Sequence, residues 1–391
     1  MDYVKRHCAG EDVREMKKVL FTATVVRKHI MEFHIPYLRL FKEMGWETAV
    51  AAKNDYDNPA DCVIPYCDAY FDVQFDRSPL KKTNLQTYRT LKKIIKEGQY
   101  DIIHCHTPVG AAITRLAAVG ARKYGTKVMY TAHGFHFYEG APLKNWLVFY
   151  PIEWLLAHMT DVLITINTED YAFAQRRLHA EQIAYVPGVG LDTRRFSGNR
   201  QLGMAKRREL GLAEDDFVIL TVAELIPRKN HQVVLHAMSQ LKENPAYEKL
   251  KYVICGDGIL MEELKQEVRS LGVEDHVLFL GYRKDIEELC NCSDLFAFMS
   301  YQEGLPVALM EAMCSGLPAV CSKIRGNLDL IEDGREGLLL DNTPKAVADA
   351  ILMLCADPEY RKKLGMAAAK KIQKYDIQNL CEIMKRIYFD M

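Results

Sequence analysis

The sequence predicts an α/β protein of two domains, each built on a parallel β-sheet covered by helices. Three observations carry this. Short apolar runs alternate with helix-like segments along the whole chain, the pattern of strands buried on both faces. The alternation breaks at Val186-Pro187-Gly188-Val189-Gly190 and then restarts, and Pro with Gly suits a hinge between domains. A length of 391 residues is enough for two separate cores.

In the first half the expected strands are Val19–Ala23, Thr48–Ala52, Ile102–Cys105, Val128–Thr131 and Val162–Ile166, with a periodic helical segment near Ile35–Met44. In the second half they are Phe217–Val222, Tyr252–Cys255, Val277–Leu280, Leu295–Phe298, Ala319–Cys321 and Gly337–Leu340. Sheets of this kind bind ligands beyond the C-terminal ends of their strands, so two of them imply a ligand cleft. The expected organisation is a mobile leader at 1–15, a first domain at 16–188 and a second at 189–374. A final helix at 375–391 is expected to return to the first domain. Met16-Lys17-Lys18 has the look of an alternative start.

Composition excludes several classes. Net charge is −1, so bulk charge offers nothing to nucleic acid. Eleven cysteines, scattered and partly inside apolar strands, suit a reducing cytosol better than a disulfide scaffold. The N-terminus is polar, and no apolar run approaches the roughly 20 residues of a membrane span. One stretch is charged unevenly: Arg77, Lys81, Lys82, Arg89, Lys92, Lys93 and Lys96 face no acidic residue between Arg77 and Lys96. It reads either as a solvated helix face or as a patch for phosphates or an anionic membrane surface. The aromatic and leucine-rich stretch Trp146–Leu156 is likewise open, as a buried helix or as a membrane-surface helix.

The most informative stretch is Ser300–Ala312, in which Glu303 and Glu311 stand eight residues apart. Gly304 and Pro306 read as a loop entering a helix, with Pro in its first turn. Glu303 then precedes the helix and Glu311 lies nearly two turns in, on a similar face. Free N–H groups and the positive helix end between them make an anion site. A carboxylate on each side of that site suits hydroxyls flanking a diphosphate, as in a sugar nucleotide.

With Gly256-Asp257-Gly258, Gly281-Tyr282-Arg283-x-Asp285-Ile286, Val186–Asp192, Thr131–Phe137 and Asp101–Thr107 in order, the chain resembles a family 4 glycosyltransferase of the GT-B fold, two Rossmann-like domains with parallel sheets facing a central cleft. It looks most like the bacterial exopolysaccharide and capsule enzymes. The resemblance implies that Glu311 bonds the ribose and Glu303 the hexose. Backbone groups of Gly304 and Leu305 would hold the diphosphate, and His133 would face the donor sugar, making His133 and Glu303 the catalytic pair. Lys229 matches the family's phosphate-binding lysine, Gly256 falls in a donor-site motif, and Tyr282-Arg283 lies where the nucleobase is placed. The family's usual arginine is replaced by Glu224; Arg228 is the candidate substitute, although it falls on the other side of the loop's register.

The resemblance implies a retaining transferase that moves a sugar, expected to be an N-acetylhexosamine, from a UDP-sugar to a polyprenyl-diphosphate-linked saccharide. Retention is implied by the family, with front-face displacement as the expected course. The enzyme is expected in the cytoplasm, peripheral at the inner face of the cell membrane. Arg77, Ser78, Lys81 and Lys82 are candidates for the acceptor's diphosphate. A same-fold UDP-sugar epimerase and a non-catalytic sugar-nucleotide sensor are the alternatives. No cofactor or metal is expected. His104, His106, His133 and His136 lack the helical His-x3-His spacing of a metal pair, and Asp55-Tyr56-Asp57 reads as a solvated turn.

Overall fold

A computed structural model describes residues 16–76 and 81–390. The leader at 1–15, and Arg77 and Ser78 of the acceptor candidates, lie outside the described residues. By packing, the chain forms two units. One runs to Thr131 and takes in Leu155–Val162; the other comprises Ala132–Trp154 and everything from Leu163 onward.

The first sheet has the order β3-β2-β1-β4-β5-β6-β7. Its strands are β1 Lys18–Val25, β2 Glu47–Lys53, β3 Ala69–Asp72, β4 Ile102–His106, β5 Lys127–Ala132, β6 Val162–Thr165 and β7 Gln182–Tyr185. β1 lies parallel between β2 and β4, with Val19 opposite both Thr48 and Ile102. The second sheet runs β10-β9-β8-β11-β12-β13, from strands β8 Phe217–Val222, β9 Leu250–Cys255, β10 Val277–Gly281, β11 Leu295–Phe298, β12 Ala319–Ser322 and β13 Gly337–Leu340.

Alternation along the second sheet divides its core between two faces. Val218, Leu220, Val253, Phe296 and Cys321 join one buried cluster. Their neighbours Ile219, Tyr252, Ile254, Ala297 and Val320 join the other. Helices cover both sides, which explains why these strands read as unbroken apolar runs. All ten described cysteines are free.

The expected strands are all present. β3 and β7 were not anticipated, and both are edge strands with half-exposed side chains, so they lack the continuous apolar signal. Two local readings need correction. Pro306 is the residue before the helix Val307–Cys314 and not part of its first turn. Asp55 is not a mere solvated turn: its carboxylate accepts the Arg27 N–H at 2.6 Å and the Lys28 N–H at 3.4 Å. Arg27 also reaches Asp57 at 3.3 Å, so the Asp-Tyr-Asp segment clasps the turn that follows β1.

Candidate active site

The site is assembled where the second unit's strands end. Past β8, a short 3-10 turn Pro227–Lys229 presents two adjacent cations in one direction. Lys229 Nζ lies 2.7 Å from Glu303 Oε1. Arg228 reaches the same oxygen at 3.3 Å and donates to the Gln302 carbonyl at 2.6 Å. The tight turn overrides the register argument: Arg228 and Lys229 share a target. Glu224, by contrast, is exposed, and its backbone carbonyl is engaged by His231 Nε2 at 3.1 Å.

Glu303 is 8% exposed and stands in the loop before the helix Val307–Cys314, whose free N–H groups and positive end favour an anion. Gly304 and Leu305 lie between the two. A side chain at Gly304 would put its Cβ 2.0 Å from the His133 carbonyl oxygen, and one at Gly326 (φ +79°) would come 2.4 Å from the Gly304 carbonyl oxygen. Only glycine allows these segments to pack backbone against backbone. Glu311 follows on the helix, half-buried, and its charge is among the causes that push the buried Cys290 thiol up.

Sequence reasoning missed the side chain that locks this packing. Arg325, 5% exposed, sits just past β12. It donates from Nε to the Glu303 carbonyl at 3.1 Å, from NH1 to Asp170 Oδ1 at 2.5 Å and from NH2 to the Phe135 carbonyl at 2.6 Å. Its guanidinium also lies 4.5 Å from the Tyr138 ring centroid. Asp170 in turn accepts the Phe135 N–H at 3.0 Å and Asn167 Nδ2 at 2.8 Å. Burial raises the Asp170 pKa, and Arg325 opposes that rise. One planar fork thus fixes the Glu303 backbone to the His133–Tyr138 segment. The available signal was an arginine next to a glycine at a strand's C-terminal end.

His133 follows β5. Desolvation lowers its pKa to about 4, so the imidazole is neutral at pH 7, able to donate one hydrogen bond and accept another. His136 is also lowered, first by burial and then by the charges of Arg325 and Arg228.

The ends of β8, β9 and β10 are stitched together nearby. Gly256 donates its N–H to the Gly281 carbonyl at 2.8 Å, and Leu225 donates to the Asp257 carbonyl at 2.9 Å. The Tyr282 N–H reaches Asp257 Oδ2 at 3.1 Å, leaving the Tyr282 ring exposed. Arg283 is committed elsewhere: its guanidinium pairs with Asp285 and with Glu209 at 3.3 Å. Lys206 joins the same network through Asp285 at 2.7 Å and Glu209 at 2.6 Å.

Comparison with known proteins identifies the family. Residues 204–371 match the model for glycosyl transferases group 1, and residues 18–167 match the glycosyl transferase 4-like model. The Bacillus subtilis (strain 168) protein named putative glycosyltransferase EpsD is 40% identical over 375 residues, covering 95% of this chain and 96% of that one. The chain belongs to the group 1, family 4 glycosyltransferases. A second relative in this family is the Escherichia coli UDP-Gal:alpha-D-GlcNAc-diphosphoundecaprenol alpha-1,3-galactosyltransferase. It is 30% identical over 313 residues, with 79% of this chain and 80% of that one covered. Among solved structures, Anabaena HepE in complex with UDP and glucose superposes with a TM-score of 0.79 at 21% identity. The match spans 96% of this chain and all of that one, which establishes the shared GT-B fold.

Lys81 and Lys82, the described members of the proposed acceptor patch, are exposed. Lys81 pairs with Asp76 at 3.0 Å. The stretch Trp146–Leu156 falls within the helix Leu143–Ala157, which is not buried. Leu143 and Leu147 are exposed by 72% and 69%, and Val148, Ile152, Trp154 and Leu155 are exposed with them. Its inner residues Trp146 and Tyr150 pack with Phe137 and Phe173. Among the described residues no helix is long and apolar enough to cross a membrane.

Proposed function

We propose that this glycosyltransferase moves a sugar from a UDP-sugar to a polyprenyl-diphosphate-linked saccharide in exopolysaccharide or capsule assembly. The observation that carries this reading is the convergence of Lys229 and Arg228 on Glu303 Oε1, beside a helix end that favours anions. A diphosphate entering there competes with Glu303 for both cations and leaves the carboxylate free to accept from the sugar's hydroxyls. Arg228 takes the place of the cation lost at Glu224. Glu311 accepts from the ribose, and neutral His133 bonds the sugar without adding charge. Transfer with retention proceeds on the front face: the leaving diphosphate takes the acceptor hydroxyl's proton. The protein's part is positioning and stabilisation of the diphosphate charge, with no metal in the transfer step.

A lipid-linked acceptor requires access to a membrane, and the helix Leu143–Ala157 supplies a surface for it. Leu143, Leu147, Val148, Pro151, Ile152 and Leu155 fall on one exposed apolar stripe, which suits insertion at the headgroup boundary. The test is UDP release across a panel of UDP-sugars, with and without a polyprenyl-diphosphate-linked saccharide. Acceptor-dependent release from one donor is expected. Conversion of the donor to its epimer without acceptor would overturn the transfer reading, and so would absence of release despite UDP binding.

A further inference from the structure

Three imidazoles meet at the C-terminal edge of the first unit's strands. His106 ends β4, and His29 sits in a π-helical turn, Val26–Ile30, that follows β1. His34 joins the short helix Met31–Phe33 to the helix Ile35–Glu43. Because β1 and β4 are hydrogen-bonded neighbours in parallel, their ends bring these segments side by side. His34 and His106 are buried and His29 is nearly so. One ring nitrogen from each of the three lies within 4.8 Å of the others.

We propose that His29, His34 and His106 form a binding site for a single zinc-type transition-metal ion. The donor set selects the class of ion. Neutral imidazoles suit zinc, copper or nickel, whereas magnesium and calcium require oxygen ligands. Three histidine nitrogens are a ligand set that protein zinc sites use. The set shares His106 with the four histidines weighed in the sequence but not His104 or His136. His104 is turned to Thr131 Oγ1 at 2.8 Å and backs His106 with ring centroids 4.1 Å apart. His136, in the second unit, lies against Phe149 at 4.6 Å. The absence of a helical His pair argued against a metal, but here the ligands come from three different segments.

The backbone around the three residues is specialised. π-helical turns are rare and occur at functional sites, and this one is held by the Asp55 carboxylate on the Arg27 and Lys28 N–H groups. On the other side, Thr107 holds φ +64°, a strained value for a β-branched residue. Its hydroxyl donates to the His106 carbonyl at 2.5 Å. His34 and His106 are stacked, with centroids 3.7 Å apart at 29°. Zinc–nitrogen bonds of about 2.0–2.1 Å place ligand nitrogens roughly 3.4 Å apart. An ion therefore draws His29 inward and splays the stacked pair by side-chain rotation. The result is a cross-link between the β1 turn, the following helix and the end of β4.

The experiment uses full-length protein stripped with a chelator and then titrated with Zn2+ or Co2+. The expected result is one ion retained per chain after gel filtration, a visible Co2+ spectrum of nitrogen coordination, and a raised Tm. His34→Ala and His106→Ala should each weaken binding at least about tenfold, since losing even an outer-shell partner costs that much, while His236→Ala on the surface should leave it unchanged. His29→Cys preserves a ligand atom and should keep the ion while adding a thiolate–cobalt absorption band. Circular dichroism and UDP binding identify any variant that has simply failed to fold. Absence of retained metal in the wild type, or retention unaffected in a folded His106→Ala protein, would overturn the site.

Discussion

A single carboxylate oxygen that takes two cations makes Glu303 the most testable residue in the molecule. Glu303→Ala should weaken UDP-sugar binding by about tenfold to a hundredfold, the range for a hydrogen bond to a charged group. UDP alone should lose much less. Glu311→Ala should weaken UDP and UDP-sugar alike; calorimetric titration of both ligands separates the two roles. Arg325 is a different kind of residue, since it acts on the backbone around Glu303 and not on a ligand. Arg325→Met removes one partner of a buried pair and should cost about 3–5 kcal/mol of stability, read by urea unfolding. Arg325→Lys keeps the charge but loses the fork, and should lower kcat more than it raises KM. At this scale Glu303 and Glu311 stood out by their spacing around a loop–helix junction and Lys229 by the resemblance, and the fold brings Lys229 to Glu303. Arg325 and Asp170 were not, because they lie 155 residues apart in the chain and only the folded backbone brings them together.

Elements were legible by the continuity of their apolar runs, and even the half-buried edge strand β10 was expected from Val277–Leu280. β1 and the other central strands are covered on both faces and announce themselves as apolar runs, whereas β3 and β7 are half-exposed edges that do not. The helix Leu143–Ala157 shows the converse. Its apolar composition fits a core helix as well as a membrane-surface helix, and its exposed leucines remove the core reading. Single exposed apolar residues are ordinary, but a contiguous apolar stripe marks an interaction surface. Replacing Leu147 and Ile152 together by Ser should leave the Tm nearly unchanged and markedly lower co-sedimentation with lipid vesicles at any ionic strength. If binding instead fell only with added salt and ignored these substitutions, the basic residues beside the helix Thr83–Gly98 would be the membrane contact.

At the scale of the whole molecule, acid should act in two stages. His133 has a pKa lowered to about 4 by desolvation, against an ordinary 6.5. Between those pH values the unfolded chain carries a proton that the folded chain does not, so stability falls as pH drops. The linkage is about 1.4 kcal/mol per pH unit, or roughly 3 kcal/mol from this group over the interval. His231, lowered chiefly by burial, adds in the same direction. Asp170 opposes them, because burial raises its pKa and the folded chain takes up that proton first. The second stage belongs to carboxylates such as Asp285. Its hydrogen bond from Arg283, reinforced by Lys206, holds it well below the usual range. Its stabilisation is present above 3.8 and disappears as pH falls toward the folded value. Urea titrations from neutral pH downward should therefore show a loss beginning near 6.5, the ordinary imidazole value. His133→Asn should make that first stage shallower, leaving the share of His231, with the second intact. An unaltered slope in the variant would mean that the His133 ring is solvated and free to carry charge, and its assignment as a neutral hydrogen-bonding partner for the donor sugar would fall with it.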